Sequence, residues 1–410
     1  MKKIDFKEII ILTIFNLILF QVPLMYYVSN IFTYIDEGLA VLAAFFILKS
    51  VKKHSFDKFS IKYLLILFVY VIFTGIANYT AGIVTEFSII SFGILLFLRN
   101  FIILIGIYNC DYNIKSEIIR LTPIFIKEIK ILLLLALCFW PINLILKTGM
   151  TYDVRFGINS YSFIFHHPGN FATYMFFSII MLTYFSDNTK FIFSNKTYIY
   201  IAIFLLFTSL RFSFIVALGV YAYFRIMSSN KINEKNKRII KIVLPIVVTI
   251  AIMPQVAKYF LSGDTPRSLF YKYSFITFSN YPMGTGFSTY GSYMAQVNYS
   301  QLYNEYGFNI LYGMSQSEPL FLFDNFWPMI IVESGIIGFI CILFWFYLMY
   351  KEANEKNNIP VKIIILFLFA FCIIGQTLIH FSSVFFYLLM GLTLSTDDRM
   401  LNENNKEATQ

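Results

Sequence analysis

"IYIAIFLLFTSLRFSFIVALGVYAYF" runs from Ile199 to Phe224, and its only charge is Arg211, in the middle. An arginine at the centre of a bilayer costs at least ~2.5–3.5 kcal/mol, so the threading of this stretch decides how the chain is read. The 410-residue sequence is 58% hydrophobic and 13% charged, more apolar surface than a water-soluble domain can hide. The class is therefore an all-α polytopic membrane protein.

Twelve apolar runs are long enough to be spans once flanking residues are counted: 8–28, 36–50, 61–80, 87–109, 128–147, 161–185, 197–210, 212–228, 240–258, 324–350, 361–381 and 382–396. The first lacks a small-residue cleavage site and reads as a signal anchor. With Met1 inside, the loops near 49–62, 99–130, 186–196, 225–241 and 351–362 face the cytoplasm, as does the C-terminus. Of 32 Lys and Arg residues, all but six (Lys147, Arg155, Arg211, Lys258, Arg267 and Lys272) then lie on the cytoplasmic side. The net charge of +9 thus reflects membrane topology, not nucleic-acid binding. The four cysteines show no metal or redox spacing.

The opening stretch follows from this charge pattern. Between Lys196 and Arg225 lie 28 residues, too few for two full-length spans and long for one. A single helix would carry the basic loop "NKINEKNKRIIK" outside, against the charge rule. The stretch is expected to form a hairpin of two short helices with Arg211 at its tip, covered by protein, because bare turn backbone is not tolerated in lipid. The chain holds 24 lysines and 8 arginines, yet its outer face holds three of each. Arginine's rigid fork grips phosphate or carboxylate oxygens bidentately, so Arg155, Arg211 and Arg267 point to an anionic ligand. The competing expectation makes them partners of Asp153, Asp264 or Glu333.

Residues 258–323 form the one long hydrophilic segment, an outer loop between spans nine and ten of a single transmembrane domain covering 1–410. Its "SGDTPRSLFYKYSF" signals a turn and a helix start at Pro266. Its "NYPMGTGFSTYGS" is glycine-rich without dinucleotide-binding spacing. Ten of its 66 residues are tyrosines, Tyr271 among them, suited to sugar rings and equally to interface belts. Beyond it, Asp324 and Asn325 are expected to cap the next helix, with Glu333 buried deeper. His166 and His167, then Asn170, sit at the outer end of span six, and His380 at that of span eleven.

The pieces "RFGINSYSFIFHHPGN", "TSLRFSF", "RSLFYKYSFITFSNYPMGTGFSTYG" and "DNFWPMIIVESGIIGF" occur in an order that resembles the O-antigen polymerase (Wzy) and O-antigen ligase superfamily. The motifs cover roughly 150–340 and each is degenerate, so their order carries the resemblance. It implies a GT-C-like fold of about 12 transmembrane helices with a large outer (periplasmic or extracellular) loop. It also implies a bacterial cytoplasmic-membrane enzyme, a metal-independent glycosyltransferase without cofactor. Its substrates would be undecaprenyl-diphosphate-linked oligosaccharides, polymerised at the outer face into O-antigen of lipopolysaccharide, capsule or exopolysaccharide. A chain-length regulator protein and a flippase are the implied partners.

This chemistry suits the residues. A lipid diphosphate leaving group gathers negative charge that preorganised cations stabilise, here Arg155, Arg211 and Arg267. A base for the attacking sugar hydroxyl is sought among Asp324, His166, His167 and His380, and the sequence leaves that choice open. Asn170, Tyr271 and Glu333 complete the candidate substrate-binding set. Ligases of the superfamily look to carry a His-Asn pair where this chain reads Asp324-Asn325, which favours polymerase over ligase. A lipid-linked-oligosaccharide flippase is the third reading, and the absence of an internal repeat argues against it.

Overall fold

The computed structural model describes residues 5–395, except 54–55, 156, 186–190, 212, 230–231, 258–259, 261–262 and 264. Lys258, at the head of the expected outer loop, and Asp264 lie outside the described residues. Each of the twelve apolar runs contains a helix. In chain order these are α1 (Phe6–Leu19) with α2 (Gln21–Tyr27), α3 (Ile35–Lys52), α4 (Lys58–Ala81), α5 (Phe87–Tyr108) and α6 (Tyr112–Leu146). Two short strands, β1 (Thr151–Arg155) and β2 (Ile158–Tyr161), precede α7 (Pro168–Tyr184), α8 (Asn195–Thr208), α9 (Ser213–Met227) and α10 (Glu234–Val256). The hydrophilic segment holds α11 (Pro266–Asn280), α12 (Tyr293–Val297) and α13 (Gln301–Glu305), and the chain closes with α14 (Phe326–Glu355), α15 (Ile359–Phe371) and α16 (Val384–Ser395).

Among the described residues, five helices are long and apolar enough to cross a membrane: α4, α5, α6, α14 and the segment Asn30–Lys52, which contains α3. The pair α1–α2 makes a sixth if its 65° bend is one broken span. The expected cytoplasmic loop 99–130 is not a loop. α5 runs to Tyr108 and α6 starts at Tyr112, so three residues connect them. Arg99 accordingly sits inside the apolar helix α5.

The chain divides into two compact units, each described here by itself. The first comprises 1–53, 103–218 and 381–410. Its centre is α7, buried on all sides and packed on α8. Phe165 stacks on Tyr174 at 4.2 Å, and the Tyr174 hydroxyl donates to the Ile18 carbonyl at 3.1 Å, where α1 bends into α2. Such a partner is what a broken helix needs where water is excluded. The β1–β2 hairpin is held to α6 by the Tyr161 hydroxyl, which donates to the Ala136 carbonyl at 3.0 Å.

The second unit comprises 54–102 and 219–380. α14 packs against α4, α11 and α15. It is broken at Gly335 (φ 57°, ψ −155°), and the glycine-rich segment Pro282–Gly286 lies along the break. There Thr285 N–H donates to Val332 O at 2.8 Å, Gly286 N–H to Glu333 O at 2.8 Å, and Ile336 N–H to Pro282 O at 3.0 Å. Asn78 holds the next residue from both sides, accepting from Phe287 N–H at 2.7 Å and donating to its carbonyl at 2.9 Å. The tyrosine-rich segment beyond has an apolar core of its own, in which Tyr290 and Tyr303 are fully buried beside Phe270 and Phe308. Those tyrosines are core residues, unavailable to a sugar ring.

Candidate functional site

Two features of the sequence build a site in the first unit. "TYDVR" and "INSY" alternate across a turn at Gly157, whose φ of +75° a side chain would resist. Strand alternation puts Asp153 and Arg155 on one face, and Arg155 Nε donates to Asp153 at 2.7 Å. Ser160 on the facing strand donates to the Asp153 carbonyl at 2.9 Å and also contacts its carboxylate. Burial works to raise the Asp153 carboxyl, but its bonds to Ser160 and Arg155 and the charge of Arg211 hold it below its ordinary range.

Next, "FHHPGN" turns the chain into α7. His166 takes a positive φ of 58°, His167 caps the helix, and Pro168 fills the first helical position. His166 is exposed and stacks on Tyr26 at 3.9 Å, while Tyr152 sets its edge against His167 at 4.8 Å. Asn170, buried on the first turn of α7, makes no hydrogen bond to a described residue through its side chain.

Arg211 completes the cluster. As expected, two short helices meet there: α8 ends at Thr208, Leu210 takes a positive φ of 52°, and α9 begins at Ser213. The guanidinium is 19% exposed, with Nη2 at 2.9 Å from His167 Nε2 and 4.0 Å from the Asp153 carboxylate. Two guanidinium groups therefore share one carboxylate at the start of a helix, leaving a net positive charge where a helix dipole also favours anions.

His167 is the informative member. Both of its ring nitrogens face donors, Nδ1 the Gly169 N–H and Nε2 the Arg211 guanidinium. A neutral ring carries one N–H. Its Nδ1 already accepts from the Gly169 N–H at 3.1 Å as the helix cap. The proton then sits on Nε2, where it faces a second donor, the Arg211 guanidinium. With the proton on Nδ1 instead, the cap bond is lost. Either way one donor lacks its acceptor at this ring, and an anionic oxygen between Arg211 and His167 would accept from both.

The remaining candidates belong to the second unit. Arg267, on the first turn of α11, lies 3.8 Å from Asp324. One turn on, the Tyr271 hydroxyl donates to the Ile373 carbonyl at 2.9 Å. Asp324 thus pairs with Arg267 and does not cap α14. The N-cap position is Asn325, and its side chain makes no capping bond. Asn325 is fully buried with both amide atoms unpartnered among the described residues, and the buried Gln376 has an unpartnered Oε1. Neither residue stood out in the sequence as a site residue, because an orphaned amide is visible only once its surroundings are. Glu333 is buried and accepts from Thr289 N–H at 2.9 Å, Tyr290 N–H at 3.1 Å and the Ser292 hydroxyl at 2.7 Å. It holds the glycine-rich segment rather than pairing with an arginine. The His380 carbonyl accepts from Asn100 at 3.2 Å.

Among the described residues, no three His, Cys, Asp or Glu side chains gather as metal ligands. No protein-family model matches the chain, and a search of curated proteins finds no match. What the geometry defines is a cluster of two forked cations and a buried imidazole around the Asp153 carboxylate.

Proposed function

We propose that this chain is a polysaccharide polymerase of the bacterial cytoplasmic membrane, threaded about twelve times with both termini inside. It joins undecaprenyl-diphosphate-linked repeat units at the outer face and works as a metal-independent glycosyltransferase. The observation that carries the reading is the gathering of Arg155, Arg211 and His167 beside Asp153 at the start of α7. In the reaction, a sugar hydroxyl of one lipid-linked unit bonds to the anomeric carbon of another. The bond from that carbon to the diphosphate oxygen breaks, and the electron pair leaves on the diphosphate. Arg155 and Arg211 stabilise that charge through fixed donors, the arrangement that favours a transition state over a ground state. His167 serves as a donor, its Nδ1 being engaged. His166, exposed beside it, is the base that takes the hydroxyl proton. Asn170 orients a sugar hydroxyl with its unpartnered amide.

The test is a set of three alleles assayed by surface-glycan gel and immunoblot. A deletion should leave single repeat units on the surface, whereas loss of a ligase would leave polymer on the lipid carrier. Arg211→Lys keeps the charge and loses the fork, so it should abolish most polymer at normal protein level, as should Arg211→Ala. Full-length polymer from the lysine allele would refute the clamp.

A further inference from the structure

The first unit contains a second site, at the opposite end of α7. From His167 to Met181 is about 21 Å along the helix at 1.5 Å per residue, so this site is distinct from the arginine cluster. A cavity of about 1050 Å³ opens there between α1, α3, α6, α7 and α16. Its depth is apolar, with walls that include Ile14, Leu42, Phe46, Phe177 and Leu389. Its rim is charged, with Lys7, Lys49, Lys53 and Asp111 lining one end.

The rim charges are uneven. Lys49 and Lys53 share the single carboxylate of Asp111, Lys53 at 3.0 Å. Those two lysines hold the Asp111 carboxyl below its ordinary range. Lys7 has no acidic partner among the described residues. Glu117, also at the rim, is taken by Arg120, which in turn pairs with Glu8. Beside the apolar wall, then, stand three ammonium groups against one carboxylate. At about 30 Å³ for a water-sized group, the cavity has room for about 35 methylenes, the tails of a two-chain lipid.

We propose that this cavity binds one anionic phospholipid, its acyl chains in the apolar depth and its phosphate among Lys7, Lys49 and Lys53. An apolar pocket ending in a lysine rim matches such an amphiphile in both halves, whereas a zwitterionic headgroup would set its own ammonium against the lysines.

The experiment uses the purified full-length chain in detergent, titrated with phosphatidylglycerol or phosphatidylcholine of equal chain length and read by native mass spectrometry. The first bound phosphatidylglycerol should be preferred about tenfold. The double variant Lys7→Gln/Lys53→Gln should bring the two lipids to parity. Leu42→Trp, which fills the cavity from a half-exposed wall position, should weaken both about tenfold. If that variant is not monodisperse, Ile10→Trp, on the α1 wall, replaces it. Equal binding of the two lipids by the wild type would overturn the proposal. So would a tryptophan variant, monodisperse and stable, that binds phosphatidylglycerol as the wild type does.

Discussion

Gly335→Ala is expected to expel the glycine-rich segment from the break in α14. A Cβ at Gly335 would stand 2.4 Å from the carbonyl carbon of Met283, 2.5 Å from the Gly284 nitrogen and 2.5 Å from the Pro282 oxygen. All three are backbone atoms, so no flexible side chain can swing aside. From the other side, a Cβ at Gly284 would meet the Glu333 oxygen at 2.5 Å. The φ of 57° with ψ of −155° adds a conformational cost of ~1–3 kcal/mol for any residue with a side chain. Overpacking adds a further ~1–3 kcal/mol, and relief by retreat breaks the three backbone bonds that hold the segment. A loss of about 4 kcal/mol is a large part of a typical ~5–15 kcal/mol stability.

Thermal unfolding of the purified chain, followed by size-exclusion survival, should show a midpoint lowered on the order of 5–10 °C. Gly75→Ala is the control. It lies within α4, a Cβ there meets nothing within 4 Å, and the change should be neutral or slightly stabilising. A Gly335→Ala midpoint within about 1 °C of the wild type would refute the threading of the segment through the break.

Other outcomes follow from the same contacts. Glu333→Gln keeps an oxygen for the Thr289 and Tyr290 N–H groups and should be tolerated. Glu333→Leu strands buried donors at ~1–3 kcal/mol each and should lower abundance on an immunoblot. In a background without the exposed Cys138, Tyr312→Cys should react with an impermeant thiol reagent on intact cells, and Glu355→Cys only after the membrane is opened. Labelling of position 355 in intact cells would reverse the proposed orientation.

Helices were legible in the sequence because apolar runs of span length leave little else to form, and the break at Arg211 was legible because charge and length conflict there. The β1–β2 hairpin was missed, although "TYDVRFGINSY" carries a period of two around a glycine turn. Its few residues sat between two long apolar runs that dominated any reading by hydropathy. Asp324 was read as a cap, yet capping depends on backbone geometry that places Asn325 at that position and turns Asp324 toward Arg267. The tyrosines of the outer loop suited sugar rings and interface belts equally, because composition does not distinguish a buried ring from an exposed one. Local patterns reach only as far as local partners.

Two arginines in apolar surroundings show where that limit falls. In "GILLFLRNFIILIG" Arg99 looks as anomalous as Arg211 does in its own stretch, and position near a presumed loop assigned it to the cytoplasm. Its guanidinium instead donates to the Ile379 carbonyl at 3.1 Å, while Asn100 donates to Leu378 and His380 at 3.2 Å each. After α15 ends at Phe371 the backbone is unwound up to those residues, and unwound carbonyls in an apolar setting require donors. Arg99 therefore satisfies the fold's own acceptors. Arg211 differs: it shares the Asp153 carboxylate with Arg155 and meets Nε2 of a ring whose other nitrogen already caps α7. An arginine that fills the fold's own acceptors is structural, and one set beside a second arginine and an imidazole is the one proposed here to meet an anion. That distinction, which lies between residues 44 positions apart, separates the two arginines where the sequence could not.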